Sequence, residues 1–355
     1  MPNLRCSMYD ELAKKPIFFE RNRVFRVYKG GKLFHDFFGD EAIDDNMPEE
    51  WVASCVKALN KDNSDPREGL SIVKNTNVPF KDVVEQNKKL MLGERENFDV
   101  LVKILDSSIR LPIQAHPDPD FSKMYFDSNF GKTEMWLVLA TRENAKISFG
   151  FKSKITKEDF IRAIEESKEN KSAMDSLLYE IPVKKGDVFL IPAKAVHAIG
   201  AGCMILEVQE PTDFTIQPEY WCGDYRLNDY EMYLGLSQEN ALKVFDFNIF
   251  GNIGDKIARK YPKIIEETQD YIYESLVFYD DTPCFSVNRY HIKKSAVLKQ
   301  APAIYIITEG EGVLEGEGTT TRIKKGDYFF LPYCNKNQFQ IKGEAQAVEC
   351  LPRCK

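Results

Sequence analysis

The sequence predicts a mainly β protein in which one antiparallel unit occurs twice, with helical insertions. Two observations carry this. From residue 101 the chain breaks into short apolar runs divided by turn residues, LPIQAH, EMWLVLA, AKISFGF, DVFLIP and CMILEVQ, each of strand length and rich in branched or aromatic side chains. And VKKGDVFLIP at 183–192 returns as IKKGDYFFLP at 323–332, 140 residues later. In both copies GD supplies a tight reversal and the proline falls at a strand end, where no ladder N–H is needed. The simplest body for such a repeat is a pair of antiparallel barrels or sandwiches.

Taken in order, VVEQNKKLML near 83–92 has helical periodicity ahead of the first strands. TKEDFIRAIEESKEN at 156–170 reads as a helix opened by a threonine cap before acids, and LSQENALKVFDF at 236–247 as a second helical interruption. Strands return after about residue 272 with SLVFYDD, CFSVNRYHIKK, AIYIITEGEGVLEGEG, TRIKKGDYFFLPY and AQAVECL. At 355 residues the expectation is two domains or one large composite.

Composition removes several classes of function. Asp and Glu number 55 against 48 Lys and Arg, and no basic block tracks a phosphate backbone, so nucleic acid is not an expected partner. The opening MPNLRCSMYDELAKKP carries charges where a secretory signal needs an apolar stretch, and no run could span a bilayer; a cytoplasmic protein without membrane contact is expected. Eight cysteines show no CxxC pair or tight framework and read as reduced thiols.

The chemistry-bearing residues sit in the first copy. Gln114 and His116 share a face if LPIQAH is extended, as do Lys132, Glu134 and Trp136 in GKTEMW. His197 follows the first repeated proline by five residues; the matching place in the second copy is Asn337. If these strands face one interior, an amide oxygen, two imidazoles and a carboxylate converge as a metal site with open positions. Zn²⁺ is the first expectation, with Mn, Fe or Co accepted by the same N/O set. The second copy, lacking both the histidine and a Q-x-H partner, is expected to be metal-free.

IQAHPD, GKTEMW, KKGDVFLIPAKAVHAIGAG and LEVQEPTDFT together resemble the type I phosphomannose isomerases, as do YKGGKL at 28–33, EEWVAS at 49–54 and FDVLVKILDS at 98–107. The resemblance implies two cupin-type jelly-roll barrels (a bicupin): a metal-binding N-terminal domain over 1–270 and a degenerate C-terminal cupin over 271–355. It implies Gln114, His116, Glu134 and His197 as metal ligands, with Lys132 lining the pocket beside a phosphate or sugar oxygen. The implied reaction interconverts mannose 6-phosphate and fructose 6-phosphate through an enediolate, in a monomer or homodimer. A metal on the two sugar oxygens would stabilise developing negative charge while one positioned group moves the proton; Glu207, Asp213 and Lys132 are the candidates.

Three positions depart from the family pattern: Pro112 stands in place of a serine, Lys194 in place of a glycine, and Gln217 in place of the arginine that ends S-D-x-T-x-R. Glutamine lacks arginine's permanent charge and rigid fork. Arg226, nine residues on, is a candidate to fold back and replace it. An isomerase for another sugar or sugar phosphate, and a metal-containing cupin that binds sugar without turnover, are the alternative readings.

Overall fold

The computed structural model describes residues 8–60 and 65–354. It is mainly β, and every strand pair in its two large sheets is antiparallel. The seven-stranded sheet runs in the spatial order Arg259–Lys260, Val188–Ile191, Glu134–Thr141, Cys203–Gln209, Leu101–Ser107, Glu49–Val52, Arg23–Val24. The nine-stranded sheet is built on the long strands Ala303–Gly316 and Phe339–Pro352, flanked by Tyr328–Leu331 on one side and by Phe285–Ile292, Tyr271–Val277 and Lys263–Glu267 on the other. Ile17–Phe18 joins this second sheet through Phe330 and Phe329, so the beginning of the chain is woven into its end.

The repeated KKGD turns close in the same way in both copies. Gly186 (φ 92°) and Gly326 (φ 88°) take the left-handed conformation that favours glycine. The Asp187 carboxylate accepts from Lys184 N at 3.1 Å and the Asp327 carboxylate from Lys324 N at 2.9 Å. Each turn then feeds a four-residue strand, Val188–Ile191 or Tyr328–Leu331, paired with the start of Glu134–Thr141 or Ala303–Gly316.

The central strands of the seven-stranded sheet are buried on both faces, and period-two alternation sorts their side chains. Val102, Ile104, Met135, Leu137, Met204, Leu206 and Val208 join Ile304, Phe330 and Val348 in a core shared by the two sheets. The alternate residues Leu105, Trp136, Val138, Cys203 and Ile205 face a second core, closed by the Leu178–Pro182, Lys146–Phe151, His197–Ile199 sheet. Lys103, Glu134 and Glu207 carry the same parity, so alternation aims them at this interior.

Several local expectations changed in detail. LPIQAH is extended but forms only isolated bridges, Gln114 with His197 and Ala115 with Ile216; Pro112 has no N–H for a continuous ladder. The helical stretch near 83–92 is two short helices, Phe80–Gln86 and Lys88–Leu92, divided where Asn87 leaves helical geometry (φ −127°, ψ 35°). The 156–170 helix is Lys157–Glu166, with a Thr156/Asp159 capping box. The 236–247 region gives Gln238–Ala241 and a 3₁₀ turn, Leu242–Val244. The described cysteines are free thiols; Cys6 lies outside the described residues. No helix among the described residues is long and apolar enough to cross a membrane.

Candidate active site

His116, Glu134 and His197 meet in the second core. One ligand atom from each lies within 4.8 Å of the others, and all three are buried. His116 Nε2 is 3.0 Å from Glu134 Oε1, and His197 Nε2 is 4.0 Å from Glu134 Oε2. Each imidazole donates its Nδ1–H to a backbone carbonyl, His116 to Phe214 O at 3.0 Å and His197 to Ala195 O at 2.9 Å. That fixes the tautomer and leaves the Nε2 lone pair facing the carboxylate. His197 Nε2 is buried without a hydrogen-bond partner. Burial, then His116, pushes His197 down to about 3, and burial, then Lys132, lowers His116. Both rings are therefore neutral at pH 7, the form a metal requires. Burial would raise Glu134, but Lys132 and His116 hold it well below the carboxylate range. Two neutral imidazoles and one carboxylate, with an orphaned nitrogen, fit a divalent cation.

Gln114 stands beside this cluster through its paired bonds with His197, N to O at 3.0 Å and O from N at 2.9 Å. It lines a cavity of about 720 Å³ together with Lys132, Glu134, Glu207, Asp213 and Gln217. The Lys132 ammonium reaches Glu134 Oε1 at 2.7 Å and His116 Nε2 at 3.1 Å.

A row of side chains crosses the sheet at one level. Register places Trp51 opposite Lys103, Lys103 opposite Glu207, Glu207 opposite Trp136 and Trp136 opposite Phe189. Trp136 Nε1 donates to both Glu134 Oε2 and Glu207 Oε2 at 3.1 Å. Lys103 Nζ lies 3.8, 3.5 and 3.6 Å from Glu49, Glu207 and Asp213. Arg26 adds bonds to Glu49 at 2.9 Å and to both Asp213 oxygens at 3.1 Å. Burial opposes ionisation of Glu49 and Asp213, yet Arg26 and Lys103 outweigh it, lowering Asp213 and holding Glu49 at about 2. For Glu207 the balance reverses: burial, then Glu134, pushes it up to about 7 against Lys103.

Lys103, Arg26 and Glu49 escaped the sequence reading. The available signal was Lys103 flanked by apolar residues on both sides in LVKIL, a residue type rarely buried without partners. Gln217 lines the cavity, but its amide donates to Glu231 O at 3.0 Å. Arg226 is exposed on the Trp221–Cys222/Tyr225–Arg226 hairpin, its guanidinium 5.7 and 5.6 Å from the Tyr220 and Trp221 ring centres. It is not among the residues lining the cavity; stacking on those rings holds it on the hairpin surface.

The mannose-6-phosphate isomerase cupin domain family matches residues 274–352. Mannose-6-phosphate isomerase ManA of Bacillus subtilis is 28% identical over 344 residues, 95% of this chain and 99% of the relative. The mannose-6-phosphate isomerase of Streptococcus mutans is also 28% identical, covering 94% and 97%. The crystal structure of the mannose 6-phosphate isomerase from Bacillus subtilis superposes with a TM-score of 0.75 at 25% identity, over 95% of this chain and 99% of that one. This chain is a cupin-superfamily relative of the type I phosphomannose isomerases. Within this phosphomannose isomerase relative the family glycine's place falls to Lys194, whose φ of 72° is left-handed. The family residue type suits that backbone, and the lysine adopts it with its ammonium 3.4 Å from Asp118.

Proposed function

We propose that the chain is a metal-dependent aldose–ketose isomerase interconverting mannose 6-phosphate and fructose 6-phosphate through an enediolate. The observation that carries this is the buried His116, Glu134, His197 cluster, whose Glu134 lines the cavity, with both histidines held neutral. Near full-length similarity to curated mannose-6-phosphate isomerases supports it.

On this reading Gln114, His116, Glu134 and His197 hold one Zn²⁺, with Mn, Fe or Co as substitutes. Held there, such an ion would supply Lewis-acid stabilisation of the negative charge that develops on the sugar. Lys132 touches the substrate beside Glu134. Asp213 stays an ion-paired anion that orients Arg26 and Lys103, which leaves Glu207 as the buried carboxyl poised to hold or release a proton near neutral pH. The phosphate meets Arg21 and Arg67. Both line the cavity and are exposed, Arg67 in an exposed 3.6 Å pair with Asp65, whereas Arg23 and Arg26 are tied to Glu50 and to Glu49 and Asp213. Gln217 then needs no charge, and Arg226 has no part. Residues 1–270 are read as the metal-binding cupin and 271–355 as the degenerate one, in two jelly-roll barrels, acting in the cytoplasm on a small sugar phosphate.

A coupled assay of metal-loaded protein with mannose 6-phosphate tests the reading, run beside a chelated control and His197→Ala. Metal-dependent formation of fructose 6-phosphate, reduced by at least about a hundredfold in His197→Ala, is expected. A fully loaded protein that forms none would overturn it.

A further inference from the structure

Lys132 sits on a loop ahead of the Glu134–Thr141 strand, and that loop is gripped from two sides by groups outside the cluster just described. On one side it presses on the segment after His116. A β-carbon on Gly131 would stand 2.6 Å from Pro117 O, and Lys132 N donates to the same oxygen at 3.0 Å. On the other side is Glu210, 1% exposed. Its carboxylate accepts from Gly131 N at 3.3 Å and Thr133 N at 3.0 Å, the amides on either side of Lys132. Its own N–H donates to Thr133 O at 3.1 Å, and Thr212 Oγ1 donates to Gly131 O at 2.7 Å.

The cation nearest Glu210 comes from the other end of the chain. Among the described residues its one ion pair is with Arg353, Nη2 to Oε1 at 3.7 Å. The same guanidinium lies 5.2 Å from the ring centre of Phe130, the residue before Gly131. Arg353 follows the Phe339–Pro352 strand and is anchored there: Arg95 donates to its carbonyl at 2.7 Å, and the Tyr279 hydroxyl to Pro352 O at 2.7 Å.

We propose that Glu210 and Arg353 form a latch on the Lys132 loop, positioning residues through which the end of the nine-stranded sheet sets the activity of a site that sheet does not line. A carboxylate bonded to two flanking amides fixes the backbone of the residue between them, and charge-assisted acceptors of this kind are the strong ones. The two amides satisfy the buried carboxylate, and Arg353, itself 36% exposed, adds a weaker attraction at 3.7 Å while packing on Phe130, so it can be removed at little cost in stability. Loosening the latch lets the Lys132 ammonium wander by fractions of an ångström, which is enough to slow a reaction that depends on placement. The inference rests on Lys132 touching the sugar phosphate, as read above.

The test uses the metal-loaded full chain with Arg353→Met, Arg353→Lys, Glu210→Gln and the Met/Gln double variant. Arg353→Met is expected to lower kcat for mannose 6-phosphate about tenfold, with KM, bound metal and Tm near those of the unaltered protein. Arg353→Lys should restore most of the loss, and the double variant should be no worse than its worse parent. Wild-type kcat in Arg353→Met overturns the latch, as does a loss of activity matched by loss of metal or a fall in Tm. If the unaltered protein does not act on mannose 6-phosphate, the isomerase reading fails by itself. The latch is then decided by hydrogen exchange at the Gly131 and Thr133 amides, which must quicken in Arg353→Met and would refute it by staying unchanged.

Discussion

Glu207 shows how much a single residue's environment decides. Three carboxylates share Lys103, yet Glu49 and Asp213 also face Arg26, while Glu207 faces Glu134 across Trp136. Its folded value of about 7 against an ordinary 4.5 means that the folded chain binds this proton more tightly than the unfolded chain does. The metal-free protein should therefore lose stability through Glu207 as pH rises from about 4.5 to about 7, by a few kcal/mol at about 1.4 kcal/mol per unit. Glu207→Gln removes that term. The denaturation midpoint of the metal-free variant should therefore gain on that of the metal-free parent between pH 5 and pH 8. Equal pH dependence in both would show that Glu207 is ionised throughout. The histidines lose stability in the other direction, as pH falls below their ordinary 6.5, and do so equally in both proteins.

For the strands, the deciding fact is register. Leu101–Ser107, Cys203–Gln209 and Glu134–Thr141 are adjacent and antiparallel, so Lys103, Glu207 and Trp136 fall at one level on one face. A shift by one residue would turn all three into the apolar core shared by the sheets. Lys103→Met keeps the volume but leaves Glu49, Glu207 and Asp213 with one cation fewer. Removing one partner of a buried charge cluster costs about 3–5 kcal/mol. A loss of that size in urea melts is expected, and pairing Lys103→Met with Glu207→Gln should recover part of it. A change below about 0.5 kcal/mol would mean that the lysine's charge is solvated instead.

Across the whole molecule, the two halves share construction but not chemistry. Both carry the same KKGD turn and strand pairing, yet the nine-stranded sheet buries Glu349 among Tyr273, Tyr305 and Asn288, which donate to it at 2.7, 2.7 and 2.9 Å. Among the described residues no metal-type cluster forms around that carboxylate, and Asn337, where His197 has its counterpart, is exposed. Elemental analysis should therefore give one ion per chain; two would contradict a metal-free C-terminal unit. The halves are also tied physically. Ile17–Phe18 pairs with Phe330 and Phe329, and the Tyr328 hydroxyl bonds Glu50 in the other sheet.

The sequence by itself determined the β character, the doubled unit and the two imidazoles and one carboxylate that the fold brings together. These rest on local information: alternation, turn chemistry, a repeat, and i, i+2 pairs that share a face wherever the chain is extended. It also marked Gln217 as an uncharged residue where the family has arginine. What it could not determine is which charges neutralise one another. Arg26 meets Asp213, 187 residues on, and Arg353 meets Glu210 only because antiparallel packing returns distant segments to one interior. The same packing left Arg226 on the surface, although it lies nine residues from Gln217. Nearness along the chain constrains a side chain over one or two residues of strand. Beyond that, the ladder register and the burial of charge decide, and both belong to the tertiary structure.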